Sequence, residues 1–175
     1  LAVLAAGAIP VVADVDESLT LSPKDVERRI TRYTKAIIPV HMVGLPSDMD
    51  KLMRVARKHK LLVVEDACQA VGGGYKGKKL GSFGHATGFS FNFFKNISAG
   101  EGGGFVTNDE QAFLRGSVAV DCCAYYWNPD EKRADLQFAG HNFRANEFSG
   151  ALLNVQLTRL YDMLGRMRSH NQELL

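Results

Sequence analysis

The sequence predicts an α/β protein whose mostly parallel sheet lies between helices. Short apolar runs alternate with amphipathic stretches that open on capping residues, the pattern of strands joined by crossover helices. One run, Leu61-Leu62-Val63-Val64-Glu65-Asp66, ends on two carboxylates, as a buried strand does when it delivers polar groups to its carboxyl end. At 175 residues and 46% hydrophobic content the chain can bury a single sizeable core.

Taken in order, Leu1 to Ala8 reads as the tail of a helix closed by Gly7, and Ile9 to Val15 as a strand. Ser22-Pro23-Lys24-Asp25 combines a capping hydroxyl, a first-turn proline and an acid at the positive helix end, which predicts a helix to about Arg32. Ala36 to Val40 is too brief an apolar run for a helix and reads as a strand. Ser47 with Asp50 three residues on suggests a reciprocal cap for a helix reaching His59, with Leu52, Val55 and Ala56 facing inward. After the strand ending at Glu65, Gly72-Gly73-Gly74 and the basic run that follows lack the Gly-Lys-Ser/Thr of a phosphate loop and read as a flexible turn. Ala86 to Phe91 and Gly104 to Thr107 are two further strands, and Asn108-Asp109-Glu110 opens a helix to about Ala119. Cys122 to Gly140 breaks the alternation. Its Tyr125-Tyr126-Trp127 cluster suits core packing first, then a substrate-facing loop or a subunit contact. Phe143 to about Asn171 is a long helix with Phe148, Leu152, Val155, Leu160 and Leu164 as its expected inner face.

Composition narrows the function classes. A formal charge of +2, with basic residues spread along the chain, gives no footprint for nucleic acid. No apolar stretch approaches a membrane span, so the expected location is cytoplasmic. Three cysteines, two of them adjacent, argue against a disulfide framework, and the five scattered histidines form no pair with metal-ligand spacing.

The chemistry-bearing residues cluster between positions 61 and 108. Lys95 follows Phe93-Phe94 and precedes Ile97, surroundings expected to desolvate an ammonium and favour the free amine that binds aldehydes. The residues alone allow an equally ordinary account: Lys95 as a surface lysine, Asp66 as a strand-end cap, Ser90 as a turn residue.

Asp66-Ala67-Cys68-Gln69-Ala70, Gly81-Ser82-Phe83-Gly84, Phe89-Ser90-Phe91 with Lys95, and Glu101-Gly102-Gly103 together resemble the sugar aminotransferases of the DegT/DnrJ/EryC1/StrS family, which use pyridoxal 5'-phosphate. Similarity extends to Val40-His41-Met42-Val43-Gly44-Leu45-Pro46 and to Asn142-Phe143-Arg144. The resemblance implies an aspartate-aminotransferase-like, fold type I, large cofactor domain. Its members are roughly twice this length, so the chain is expected to be a fragment. The abrupt start at Leu1 and the lack of a phosphate-holding Gly/Ser/Thr turn before the first helix agree. Residues 1–145 would be a partial large domain, and 146–175 a helix leading toward a mostly absent small domain.

The resemblance also assigns roles. Asp66 would keep the cofactor's pyridine nitrogen protonated, Gln69 would donate to its phenolic oxygen, Ser90 would reach its phosphate and Lys95 would carry it as a Schiff base. Asn142 would reach the phosphate in the neighbouring subunit of a homodimer. Arg144 would secure that loop, Glu65 would orient nearby backbone and Cys68 would pack near the ring. The implied reaction transfers an amino group from an amino acid, glutamate or glutamine, to a keto group on a nucleotide-linked sugar. Lysine rather than histidine at position 95 favours transamination over the sugar dehydration of close relatives. A dehydratase or lyase, and a noncatalytic regulatory homolog, are the alternatives.

Overall fold

A computed structural model describes residues 1–122 and 138–174. Cys123 and the Tyr125-Tyr126-Trp127 cluster lie outside the described residues. Four strands form the main sheet in the order β1 (Ala36–Ile37), β2 (Leu62–Asp66), β5 (Ala86–Ser90), β6 (Gly103–Thr107). β1, β2 and β5 run parallel, and β6 is antiparallel to β5, so the sheet is mostly parallel as the alternation predicts. Between β2 and β5 a small hairpin, β3 (Gly74–Tyr75) and β4 (Lys78–Lys79), stands where the glycine-rich stretch reads as a flexible turn. Its two-residue connection puts Lys76 and Gly77 at φ 48° and 80°, the left-handed geometry that matches the twist of paired strands.

Helix ends follow local chemistry. In α1 (Ala2–Ala5), Ala8 N–H donates to Val3 and Gly7 N–H to Leu4, with Gly7 at φ 71°, a Schellman closure that satisfies the last carbonyls. α2 (Pro23–Arg29) starts at Ser22, whose hydroxyl accepts from Asp25 N–H, and stops three residues short of the expected Arg32 because Ile30 is extended. α3 (Met49–His59) is capped by Asp48, which accepts from Lys51 N–H, and not by Ser47. Tertiary bonding takes Ser47 instead: its hydroxyl donates to the Val40 carbonyl and its N–H to His41 Nδ1. α4 (Glu110–Val120) is capped by Asp109.

Two expectations change more substantially. Ile9 to Val15 is not a strand: apart from an isolated bridge between Val15 and Leu21 it has no ladder partner among the described residues. Ile9, Val11 and Val12 are left exposed. The run is apolar enough for a sheet, but a strand exists only where a second backbone meets its N–H and C=O groups. The second change concerns α5 (Glu147–Leu174), about 42 Å long at 1.5 Å per residue. Leu160 is buried and Leu153, Met163 and Leu164 pack beside it, whereas Phe148, Leu152 and Val155 are exposed. The inward stripe is therefore rotated from the expected one and shorter.

Two cores hold these layers. The larger joins α2 and α3 to β1 and β2 through Val26, Ile37, Met49, Leu52, Val55 and Val63. Burying each of the larger aliphatic side chains contributes roughly 1.5–3 kcal/mol relative to exposure. The smaller core sets Leu160 of α5 against Val71 and Ile97, and so braces the segment that carries Lys95.

Candidate active site at the carboxyl edge of the sheet

Because β1, β2 and β5 are parallel, their carboxyl ends share one edge, where α/β proteins place ligand chemistry. Asp66 is the last residue of β2 and Ser90 the last of the adjacent β5. Pairing of Asp66 with Gly88 sets the two strand ends two residues out of step. On the other side of β2, the bridge from Val40 to Asp66 carries the ladder past Pro39, whose carbonyl accepts from Asp66 N–H. The Asp66 carboxylate accepts from Cys68 N–H at 3.1 Å, which fixes its direction at the strand end.

Gln69 is tied to the loop after β1. Its Oε1 accepts from Val43 N–H at 3.1 Å. A backbone N–H can only donate, so it must face the amide oxygen, and the Gln69 NH2 group is left as the available donor. Val43 holds φ 44° and ψ 37°, a left-handed conformation that is an outlier for a β-branched residue and costs roughly 1–3 kcal/mol. The loop meets this cost beside the candidate site.

Lys95 is half-buried in the turn that follows β5. Only part of the expected apolar setting exists. Ile97 is fully buried, but Phe93 and Phe94 stack on each other with centroids 3.9 Å apart and both project outward. The turn is pinned by Asn92, and that bonding sends the two rings to the surface.

Cys68 packs rather than reacts. Its Sγ donates to the Gly88 carbonyl at 3.6 Å. Burial, reinforced by a hydrogen bond and the charge of Asp66, pushes the thiol up to about 11 against the opposing charge of Lys95. It is a protonated thiol at neutral pH. Among the described residues Cys68 and Cys122 are free, and no cluster of His, Cys, Asp or Glu is arranged to hold a metal.

Glu65 sits one residue before Asp66 and is fully buried. Its Oε1 accepts from Phe83 N–H at 2.7 Å and Gly84 N–H at 2.6 Å, and its Oε2 from Gly81 N–H at 2.9 Å and His41 Nε2 at 3.1 Å. Burial raises its carboxyl pKa, but hydrogen bonds from His41 and the three backbone N–H groups prevail and hold it below the ordinary value. Gly81 lies at φ 92°, and a Cβ there would come within 2.6 Å of Phe89, so this turn requires glycine twice over.

His41 is the residue that sequence reasoning passed over as one of several scattered histidines. It is fully buried, and Nδ1 accepts from Ser47 N–H, so the single ring proton is on Nε2 and points at Glu65. The available signal was its place at the end of an apolar run whose neighbouring strand ends in two acids. Asn142 is hydrogen-bonded to none of Asp66, Gln69, Ser90 and Lys95 among the described residues. It is exposed, bridges Asp121 at the end of α4, and its Oδ1 accepts from Arg144 Nε at 3.2 Å. Arg144 Nε also lies 3.2 Å from Asp121 Oδ1 as an ion pair; that oxygen is buried and receives no aligned hydrogen bond from the described residues.

A mostly parallel sheet with a carboxylate, an amide, a hydroxyl and a lysine along its carboxyl edge is the architecture of an aminotransferase large domain. The chain belongs to the DegT/DnrJ/EryC1/StrS aminotransferase family, whose model it matches over residues 1–174. It is 42% identical over 164 residues to GDP-perosamine synthase of Caulobacter vibrioides, covering 90% of this chain and 42% of that one. It superposes on DesV of S. venezuelae with a TM-score of 0.83 at 37% identity, covering 92% of this chain and 42% of DesV. The E. coli GDP-4-keto-6-deoxy-D-mannose-3-dehydratase with bound hydrated PLP gives a TM-score of 0.75 at 26% identity, covering 85% and 42%. The chain thus spans less than half the length of these relatives. No helix among the described residues is long and apolar enough to cross a membrane.

Proposed function

We propose that the full-length protein is a cytoplasmic, pyridoxal-phosphate-dependent aminotransferase. It moves an amino group from glutamate or glutamine to a keto group on a nucleotide-linked sugar. The observation that carries this reading is the alignment of Asp66, Gln69, Ser90 and Lys95 along one sheet edge in a chain of this family. When bound, the cofactor supplies an electron sink for the bonds at the substrate's α carbon. Residue chemistry fits such a group: Asp66 offers a fixed carboxylate to a protonated ring nitrogen, Gln69 a free NH2 to a phenolic oxygen, and Ser90 a hydroxyl to a phosphate. Lys95 would anchor the cofactor, and its amine would take and return the proton at the substrate's α carbon. Residues 1–145 serve as part of the large domain, and α5 leads toward the small one.

Replacing Asp66 by asparagine keeps the size and removes the charge. We expect the amine-transfer rate at saturating cofactor to fall at least about tenfold, the equivalent of roughly 1.4 kcal/mol. Stopped-flow absorbance measures it, and an unchanged rate contradicts the electron-sink assignment.

Asn142 belongs to the partner's site in this reading, a role its exposed side chain permits. Asn142→Ala should weaken cofactor affinity about tenfold by loss of one charge-assisted hydrogen bond. Mixed dimers with Lys95→Ala subunits should regain tight binding, because the sites that keep Lys95 then receive an intact Asn142 from the partner. If mixing restores nothing, the shared site is wrong.

Similarity to the E. coli dehydratase favours a second reading, dehydration of a similar sugar. An amino-donor half-reaction separates the two. Conversion of the bound cofactor to its amine form by glutamate or glutamine supports transfer to a keto sugar, and keto-sugar dehydration without transfer of the amino group supports the alternative.

A further inference from the structure

We propose that Asn92 is a positioning residue for Lys95, clamping the lysine turn to Glu101 in the following glycine-rich loop. The inference rests on the reading of Lys95 as the cofactor anchor. Five hydrogen bonds, to four residues, converge on Asn92. Asn92 Oδ1 accepts from Phe94 N–H at 3.0 Å, and the Asn92 carbonyl accepts from Lys95 N–H at 3.0 Å. Asn92 Nδ2 donates to both Glu101 oxygens, at 2.8 and 3.0 Å, and Asn92 N–H reaches the Ser90 hydroxyl at 3.4 Å.

The direction of the amide follows from its partners. A backbone N–H only donates and a carboxylate only accepts, so Oδ1 must face Phe94 and Nδ2 must face Glu101. Asn92 therefore couples the backbone that leads into Lys95, at Phe94 N–H and Lys95 N–H, to a loop that is itself tied to β5, since Phe91 N–H donates to the Gly102 carbonyl at 2.9 Å. A lysine side chain is flexible, so the position of its Cα determines where the amine can reach. Ile97 and Asn96 anchor the chain after Lys95 to Val71, whereas the residues before it provide little restraint of their own: Phe93 and Phe94 are exposed, as is Glu101. An exposed amide–carboxylate contact contributes little to global stability, so its effect falls on the local geometry of the turn.

Exchanging the partners' roles tests the clamp in the full-length protein. In Asn92→Asp, Oδ1 still accepts from Phe94 N–H, but the second oxygen confronts the Glu101 carboxylate. In the double variant Asn92→Asp with Glu101→Gln, the new amide donates back to the new carboxylate and the contact returns with its polarity reversed. Two readouts are taken: hydrogen exchange of the 91–103 peptide in cofactor-free protein, and the rate at which added pyridoxal phosphate becomes borohydride-trapped on Lys95.

Asn92→Asp should speed exchange and slow attachment, each by about tenfold. The double variant should bring both back to within about threefold of the unaltered protein, with the thermal midpoint little changed throughout. Unchanged exchange in Asn92→Asp, or no recovery in the double variant, overturns the clamp. Faster exchange with an unchanged attachment rate overturns its positioning role. If the unaltered protein attaches no cofactor at Lys95, the functional reading fails, and with it the positioning role, while exchange still decides the clamp.

Discussion

Lys95→Ala in the full-length protein should abolish the proposed amino-group transfer and leave the fold largely intact. Both halves of this expectation have a structural reason. Lys95 lies on a turn outside the buried clusters, where the segment is braced by Ile97 against Val71 and Leu160 and by Asn92 through its backbone and side-chain bonds. Removing the lysine side chain touches none of these. In the proposed function the chemistry has no substitute, because the same amine would anchor the cofactor and move the α-carbon proton. Borohydride reduction of the cofactor-loaded protein should put the cofactor mass on the peptide containing Lys95. Attachment only at another lysine, or none, rejects the assignment; circular dichroism of the alanine variant checks the fold.

The parts of this molecule that were legible in its sequence are those set by local chemistry. The strand Leu62–Asp66 announces itself as an apolar run ending on acids, and Ser22-Pro23, Asp109 and Gly7 fix helix ends through bonds within a few residues. Where a distant backbone competes, the local reading fails. Ser47 looks like a cap for α3, but Val40 and His41 claim its hydroxyl and its N–H, and Asp48 does the capping. Ile9 to Val15 has strand chemistry but, beyond the Val15–Leu21 bridge, no ladder partner among the described residues, which no periodicity can reveal. For α5 the apolar positions are numerous enough to draw more than one stripe, and contact with Val71 and Ile97 selects the one through Leu160.

The candidate site divides in the same way. Asp66 and Ser90 are readable as strand-end residues, whereas roles for Gln69 and Asn142 came from family resemblance alone. Phe93 and Phe94 suggested an apolar shell for Lys95, but a turn bonded through Asn92 directs them outward. His41 is set apart from the other histidines in the sequence only by its place at the end of an apolar run, and the fold supplies its partner 24 residues away.

That partner is the basis of a large expected effect on stability. Glu65→Gln should destabilise the full-length protein by about 3 kcal/mol at neutral pH although the side chains are nearly the same size. The carboxylate receives four donors and no acceptor: Phe83 and Gly84 on one oxygen, Gly81 and His41 on the other. An amide must turn its NH2 toward one of these pairs. Facing Phe83 and Gly84, it opposes two backbone N–H groups that have no freedom to reverse. Facing the other side, it opposes Gly81 N–H, and His41 cannot relieve the conflict by moving its proton, because Nδ1 must stay bare to accept from Ser47. Each buried donor left without an acceptor costs about 1–3 kcal/mol. The pH dependence follows from the depressed carboxyl pKa. Such a group contributes stability above its unfolded value, 4.5 for glutamate, and loses it as pH falls through the lower folded value. The gap between the unaltered protein and Glu65→Gln should accordingly be full at pH 7 and narrow below about pH 4.5. Urea denaturation at a series of pH values measures it, and a variant as stable as the unaltered protein at pH 7 would show that the four-donor arrangement does not hold the turn from Gly81 to Gly84 against the strand that ends in Asp66.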